Sequence, residues 1–215
     1  MYRPTIVIAT HHRVEITNQL IKQLLADNQD IQIVLVVSEL NEFHTFRSAG
    51  ESKLHVLKFT NYPLGSKWQH GVTYARRIGA NPVIILGSDD TLNKQFIPNA
   101  LKYLQEGYHF IGLKRYWVKH NDKRYLIDYK PVMPLGGGRV YSAQLLDRIQ
   151  WKLFQPKDRQ LDDYGWNQVV KIGARAIMIR DIQKAGMEIT AIKGDWKMMN
   201  PFDPNHKNLS IVCVE

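Results

Sequence analysis

The chain of 215 residues contains one cysteine, Cys213. That excludes an intrachain disulfide framework and a cysteine-rich zinc site, and it makes a reducing compartment, the cytoplasm, the expected setting. Nowhere does the sequence reach the ~18 consecutive apolar residues that a membrane-crossing helix needs. The first apolar run, Thr5–Thr10, is too short for the core of a signal peptide. A soluble protein is expected, with any membrane contact peripheral and electrostatic. Glycine is missing from Ala9-Thr-His-His-Arg-Val14, directly after that first run. A glycine-rich turn at this point marks dinucleotide-binding dehydrogenases and nucleotidyltransferases that make sugar nucleotides, so both classes are disfavoured. The net charge of +9 and the ten tyrosines suit an acidic partner. The basic residues are scattered, however, and no helix-turn-helix, zinc-finger or RNP signature accompanies them, so no nucleic acid is expected as partner.

With 44% hydrophobic residues the chain has enough apolar side chain for one substantial core, and a single domain is expected over 1–215. Strand and helix signals alternate through the first ninety residues. Strands are expected over Thr5–Thr10, Ile31–Ser38, Lys53–Phe59 and Pro82–Leu86, and helices over Glu15–Ala26 and Ser66–Ile78. Such alternation predicts an α/β fold with a mainly parallel central sheet flanked by helices. Ile31–Val37 and Val83–Leu86 are nearly continuous in β-formers, as befits strands buried on both faces. Beyond residue 105 two aromatic-rich runs, Tyr108–Val118 and Arg124–Tyr129, flank His120-Asn-Asp-Lys123 and predict a hairpin. Helices over Ser142–Gln150 and Asp162–Ile172 follow, then a short strand pair, with Gly194–Lys207 as loop. No repeat divides the chain. About 1–92 would bind a nucleotide and about 93–215 would build the rest of the site.

Pro82-Val-Ile-Ile-Leu-Gly-Ser-Asp-Asp-Thr91 runs a buried-type strand into two adjacent carboxylates. In open α/β sheets the ligand crevice lies at the carboxyl ends of the strands, where Asp89 and Asp90 are well placed to hold a metal-bound diphosphate. The same string also reads as a solvated turn, with Asp90 capping a helix over Lys94–Leu104. His11 and His12 end the first strand on the same side, where a ring would meet a nucleotide.

Five segments taken in order resemble glycosyltransferases of the GT-A fold, particularly the inverting enzymes of glycosyltransferase family 2. Thr5–Arg13 is similar to the strand and loop that hold the base and ribose. Asn61-Tyr-Pro-Leu-Gly-Ser-Lys-Trp68 resembles the diphosphate-side loop, and Leu86-Gly-Ser-Asp-Asp90 the metal-binding DXD-type motif. Gly136-Gly-Gly-Arg-Val-Tyr-Ser142 resembles the acceptor-side glycine segment, and Leu161-Asp-Asp163 the acidic pair that carries the base. Ser38-Glu39 stands where the family often has an aspartate at the end of the second strand.

The resemblance implies transfer of a sugar from a UDP- or GDP-linked donor to the hydroxyl of a glycan or glycoprotein acceptor, with Mn2+ or Mg2+ as cofactor. It implies nucleotide contacts at Thr10, His11, Arg13, Ser38, Lys67, Ser88 and Asp89. Asp90 is the favoured metal ligand, with Asp89 beside it and His206 completing the shell. Asp163 is the preferred base, with Asp162 as the alternative. It also suits a compact enzyme of a phage or large virus, working in the host cytoplasm.

Overall fold

Two buried hydrophobic faces on one sheet organise the molecule. The computed structural model describes residues 2–159, 161–193, 203 and 208–215. Strands β1 (Thr5–Ala9), β2 (Gln32–Val37), β3 (Leu54–Lys58) and β4 (Val83–Ile85) run parallel in the order β4-β1-β2-β3. Their side chains alternate between the faces. Ile6, Ile8, Ile33, Leu35 and Ile84 meet Leu20, Ile21 and Leu24 of helix α1 (Val14–Asp27) on one side. Val7, Val34, Val36, Val83 and Ile85 meet Val72 and Ala75 of helix α3 (Leu64–Arg77) on the other. This period of two within continuous β-formers is what a strand covered on both sides requires. Each fully buried Ile or Leu contributes on the order of 1.5–3 kcal/mol. At Gly71 the backbone of α3 touches the sheet: a Cβ there would lie 2.7 Å from Val7 Cγ1 and 2.9 Å from Val36 Cγ2.

Helix α2 (Leu40–Arg47) lies between β2 and β3, where no helix was expected from the sequence. It buries only Glu42 and Phe46, too few apolar positions to give a periodic signal, and it starts on a capping box between Glu39 and Glu42. The doublet strand β5 (Asp90–Leu92) precedes helix α4 (Phe96–Gln105).

The second half departs from the expected single hairpin. The run Tyr108–Val118 breaks at Lys114. β6 (Phe110–Leu113) joins the large sheet, and β7 (Arg115–His120) pairs with β8 (Lys123–Tyr129) in a second sheet. The hairpin turn at Asn121 is as expected, with φ 53°. β9 (Arg139–Tyr141) runs antiparallel between β4 and β6. Helix α5 (Ala143–Arg148) is capped by Ser142, which accepts from the Leu145 N–H, and helix α6 (Leu161–Lys171) follows.

The expected terminal strand pair is not a pair. β10 (Ala176–Ile179) extends the large sheet beside β6, whereas β11 (Ile189–Lys193) and β12 (Leu209–Val214) enter the small one. The large sheet has the order β10-β6-β9-β4-β1-β2-β3 and the small one β12-β8-β7-β11-β5. One hydrophobic cluster takes residues from both sheets, among them Ile6, Leu35, Trp117, Leu126 and Ile189. Among the described residues no helix is long and apolar enough to cross a membrane.

Candidate active site

The doublet lies on the seam between the sheets. Leu86 N–H still bonds to Val7 of β1, but Asp90 already pairs with Ala191 of β11 and the Asp89 carbonyl accepts from Ile192 N–H. Asp89 is buried and doubly countered: Lys193 Nζ lies 2.8 Å from its Oδ2 and Arg13 Nη1 3.3 Å from its Oδ1. Arg13 also reaches Ser88 Oγ at 3.4 Å. Asp90 faces a cleft of about 690 Å3 and accepts the Gly87 N–H on Oδ2 at 3.1 Å. Desolvation and the adjacent Asp89 charge push the Asp90 carboxyl well above the usual carboxylate range. Lys193, the Gly87 N–H and Arg13 act in the opposite direction.

Asp162 lines the same cleft from the first turn of α6, where the helix dipole favours a carboxylate. Two consecutive glycines lie against the two acids. A Cβ on Gly136 would lie 2.5 Å from Asp162 Oδ2, and one on Gly137 would lie 2.6 Å from Asp90 Oδ2. The absence of side chains at 136 and 137 is thus what lets both carboxylates close on one space.

Arg139 supports this arrangement from beneath. Its guanidinium, 2% exposed, donates to the carbonyls of Leu135 (2.5 Å), Pro134 (2.9 Å) and Asp162 (2.9 Å), and lies 3.5 Å from Asp162 Oδ1. Tyr116 and Tyr129 line the same cleft. Burial raises both phenols, Tyr116 to about 12, so both stay neutral and offer hydroxyls for hydrogen bonding.

The other sequence-predicted residues are distributed differently. Asp163 lines a separate concavity of about 310 Å3 with Gln155, Lys157 and Tyr164, away from Asp90. Lys67 is fully buried, neither an exposed lysine nor one turned to solvent. It donates to the Thr10 carbonyl, to Ser38 Oγ (2.6 Å) and to Asn61 Oδ1 (3.2 Å), joining the ends of β1, β2 and β3. Burial lowers its pKa to about 8, against the raising effect of Glu42 and Glu39. Thr10 is buried too, its hydroxyl on Thr17 Oγ1 at 2.9 Å. Thr10 and Lys67 therefore lie in the floor of the β1–β3 end rather than on its open surface, and Ser38 beside Lys67 is half-buried. His11 is at that surface, 3.1 Å from Glu39. His206 lies outside the described residues.

Lys193, Arg139 and Glu42 were not singled out from sequence. Glu42 had a signal, the Glu39-x-x-Glu42 spacing of a capping box. Lys193 had none, since its partner Asp89 is distant in the chain, and nothing in the string around Arg139 marked that its guanidinium would be buried against the carbonyls of Pro134, Leu135 and Asp162.

These features define a GT-A fold protein with a carboxylate-walled cleft at the strand ends. The chain is similar to S. aureus TarS 1-349, with TM-score 0.61 and 15% identity over 89% of this chain and 60% of that one. TarS 1-349 in complex with UDP matches at TM-score 0.56 and 14% identity, with the same coverage. A197 from STIV matches at TM-score 0.51 and 13% identity, over 83% of this chain and 82% of that one. The chain therefore spans about 60% of the length of the TarS 1-349 structures. At these identities the likeness is one of fold, and it bears out the α/β central sheet flanked by helices. No family model matches the sequence, and no curated protein does.

Proposed function

We propose that the protein is a glycosyltransferase that moves a sugar from a nucleotide-diphosphate donor to an acceptor hydroxyl with inversion. The observation that carries this reading is that Asp90 and Asp162 line one cleft, each packed against one of two consecutive glycines. The UDP held by the TarS neighbour supports a nucleotide donor.

Asp162 is the base in this reading, in preference to Asp163, because it shares the cleft with Asp90. Its carboxylate takes the proton of the acceptor hydroxyl as the acceptor oxygen bonds to the anomeric carbon. The bond from that carbon to the diphosphate breaks on the opposite side, and the nucleoside diphosphate leaves with the electron pair. A single displacement of this kind inverts the anomeric centre. General-base assistance of this sort contributes on the order of 10²–10⁴ in rate. Arg139 keeps Asp162 in place by bonding its carbonyl together with those of Pro134 and Leu135, which lead into the glycines. Tyr116 and Tyr129 offer hydroxyls to the sugar.

The residues suit Mn2+ or Mg2+. Asp89 and Asp90 supply the hard oxygen donors such ions prefer, and the ammonium of Lys193 on Asp89 marks a position that already attracts a cation. Asp90 and Asp89 would hold the ion, which supplies charge neutralisation for the departing phosphate. The acceptor is proposed to be a glycan or glycoprotein, and the setting the cytoplasm.

Incubation with a panel of UDP- and GDP-sugars and mixed glycan acceptors tests the assignment through release of nucleoside diphosphate. Acceptor-stimulated release that is lost in Asp162→Asn is expected. Absence of release from every donor by folded protein would remove the assignment.

A further inference from the structure

A second cluster of metal-ligating groups lies where β1 and β2 end. The ligand atoms of His11, His12 and Glu39 all fall within 4.8 Å of one another. His11 Nε2 is already 3.1 Å from Glu39 Oε1, and the two imidazole centroids are 3.8 Å apart at 40°. In a tetrahedral zinc site, with metal–ligand lengths near 2.0–2.1 Å, neighbouring donor atoms stand roughly 3.3 Å apart. Small rotations of the partly exposed His11 and the exposed His12 are enough to close the remaining gap.

The backbone that carries these ligands is fixed in advance. Glu42, 1% exposed, accepts the N–H of His12 at 2.5 Å, of Glu39 at 3.3 Å and of Ser38 at 3.4 Å. One buried carboxylate therefore ties the end of β1 to the end of β2. It also holds His12 at φ 57°, a left-handed conformation that non-glycine residues adopt at a cost. A hydrogen bond between His11 and Glu39 would account for those two side chains alone. It does not account for the second imidazole drawn beside them on a constrained backbone.

We infer that His11, His12 and Glu39 form a binding site for a borderline divalent transition ion of the zinc class. Two imidazole nitrogens and one carboxylate oxygen are the donors such ions select, whereas Asp89 and Asp90 offer only oxygen and suit Mn2+ or Mg2+. Three protein ligands leave a fourth position open for water or an anionic group. The inference does not rest on the transferase reading.

The test is titration of untagged protein with Co2+, read by visible absorption and followed by displacement with Zn2+. One equivalent of Co2+ should give the intense band of a four-coordinate site, and Zn2+ should abolish it. His11→Gln and His12→Asn should each weaken binding at least ~10-fold while thermal melting stays cooperative; Asn tolerates the left-handed backbone at position 12. Asp90→Asn should bind Co2+ as the wild type does. A wild-type chain without the band, histidine variants that bind unchanged, or loss of the band in Asp90→Asn alone would each overturn the site.

Discussion

Replacing Gly137 by alanine puts a methyl group into the space that the Asp90 carboxylate uses. The added Cβ would be 2.6 Å from Asp90 Oδ2 and 3.1 Å from Ile189 Cδ1, against the ~3.5–4.0 Å of ordinary contacts. The backbone itself does not resist, since the positive-φ glycines do not include Gly137. The carboxylate must therefore move, and Gly87 also packs closely on it, since a Cβ there would likewise lie 2.6 Å from Oδ2. Displacement stretches the 3.1 Å bond from Gly87 N–H. Overpacking of this size destabilises by about 1–3 kcal/mol. A shift of ~1 Å in a group that positions the donor lowers turnover on the order of 100-fold. Urea denaturation and donor-turnover kinetics on Gly137→Ala read the two effects separately. Gly79→Ala is the control: its φ is 74° and nothing lies within 4 Å, so it should destabilise through backbone strain alone and leave turnover intact. Wild-type stability and turnover in Gly137→Ala would refute the wedged position of Asp90.

Three further outcomes follow from the same geometry. Asp162→Asn should lower transfer on the order of 10³-fold while donor affinity, measured by calorimetry, stays within about twofold; Asp163→Asn should transfer nearly as the wild type does, and the reverse pattern would move the base to Asp163. Arg139→Gln leaves three carbonyls short of donors around the glycines, and urea denaturation should show a loss of about 3 kcal/mol; a loss under ~1 kcal/mol would contradict its supporting role. Lys67, at about 8 in the folded chain against 10.5 ordinarily, makes the folded state bind fewer protons than the unfolded one between those values. Its contribution to stability therefore rises with pH through that window, by ~3 kcal/mol in all, and the burial penalty is complete below pH 8. The wild type should gain on Lys67→Met between pH 7.5 and roughly 10 in paired urea titrations, and an unchanged difference would exclude the depressed lysine.

The parallel strands β1 to β4 and the helices α1 and α3 were legible because burial on both faces writes continuous apolar runs, and packing on a sheet writes a 3.6-residue stripe. Leu20, Ile21 and Leu24 illustrate the second signal. Helix α2 was not legible, since most of its face is polar and its start is set by the Glu39–Glu42 box. The break at Lys114 was hidden for another reason: Phe110–Leu113 and Arg115–His120 are both good strand sequence, and only tertiary pairing assigns them to different sheets. In the site, Asp90 and the glycines were visible as motifs. The pairing of Asp162 with Asp90, rather than of Asp163, depends on the rotation of α6. Lys67 shows the limit on single residues, because its burial arises from three strand ends converging on one amine.

Calorimetric titration of the full chain with UDP and with GDP, each with and without Mn2+, tests the transferase assignment most directly. The assignment predicts Mn2+-promoted binding of one nucleotide, lost in Asp90→Asn at unchanged thermal stability. Failure of folded protein to bind either nucleotide under either condition would contradict it.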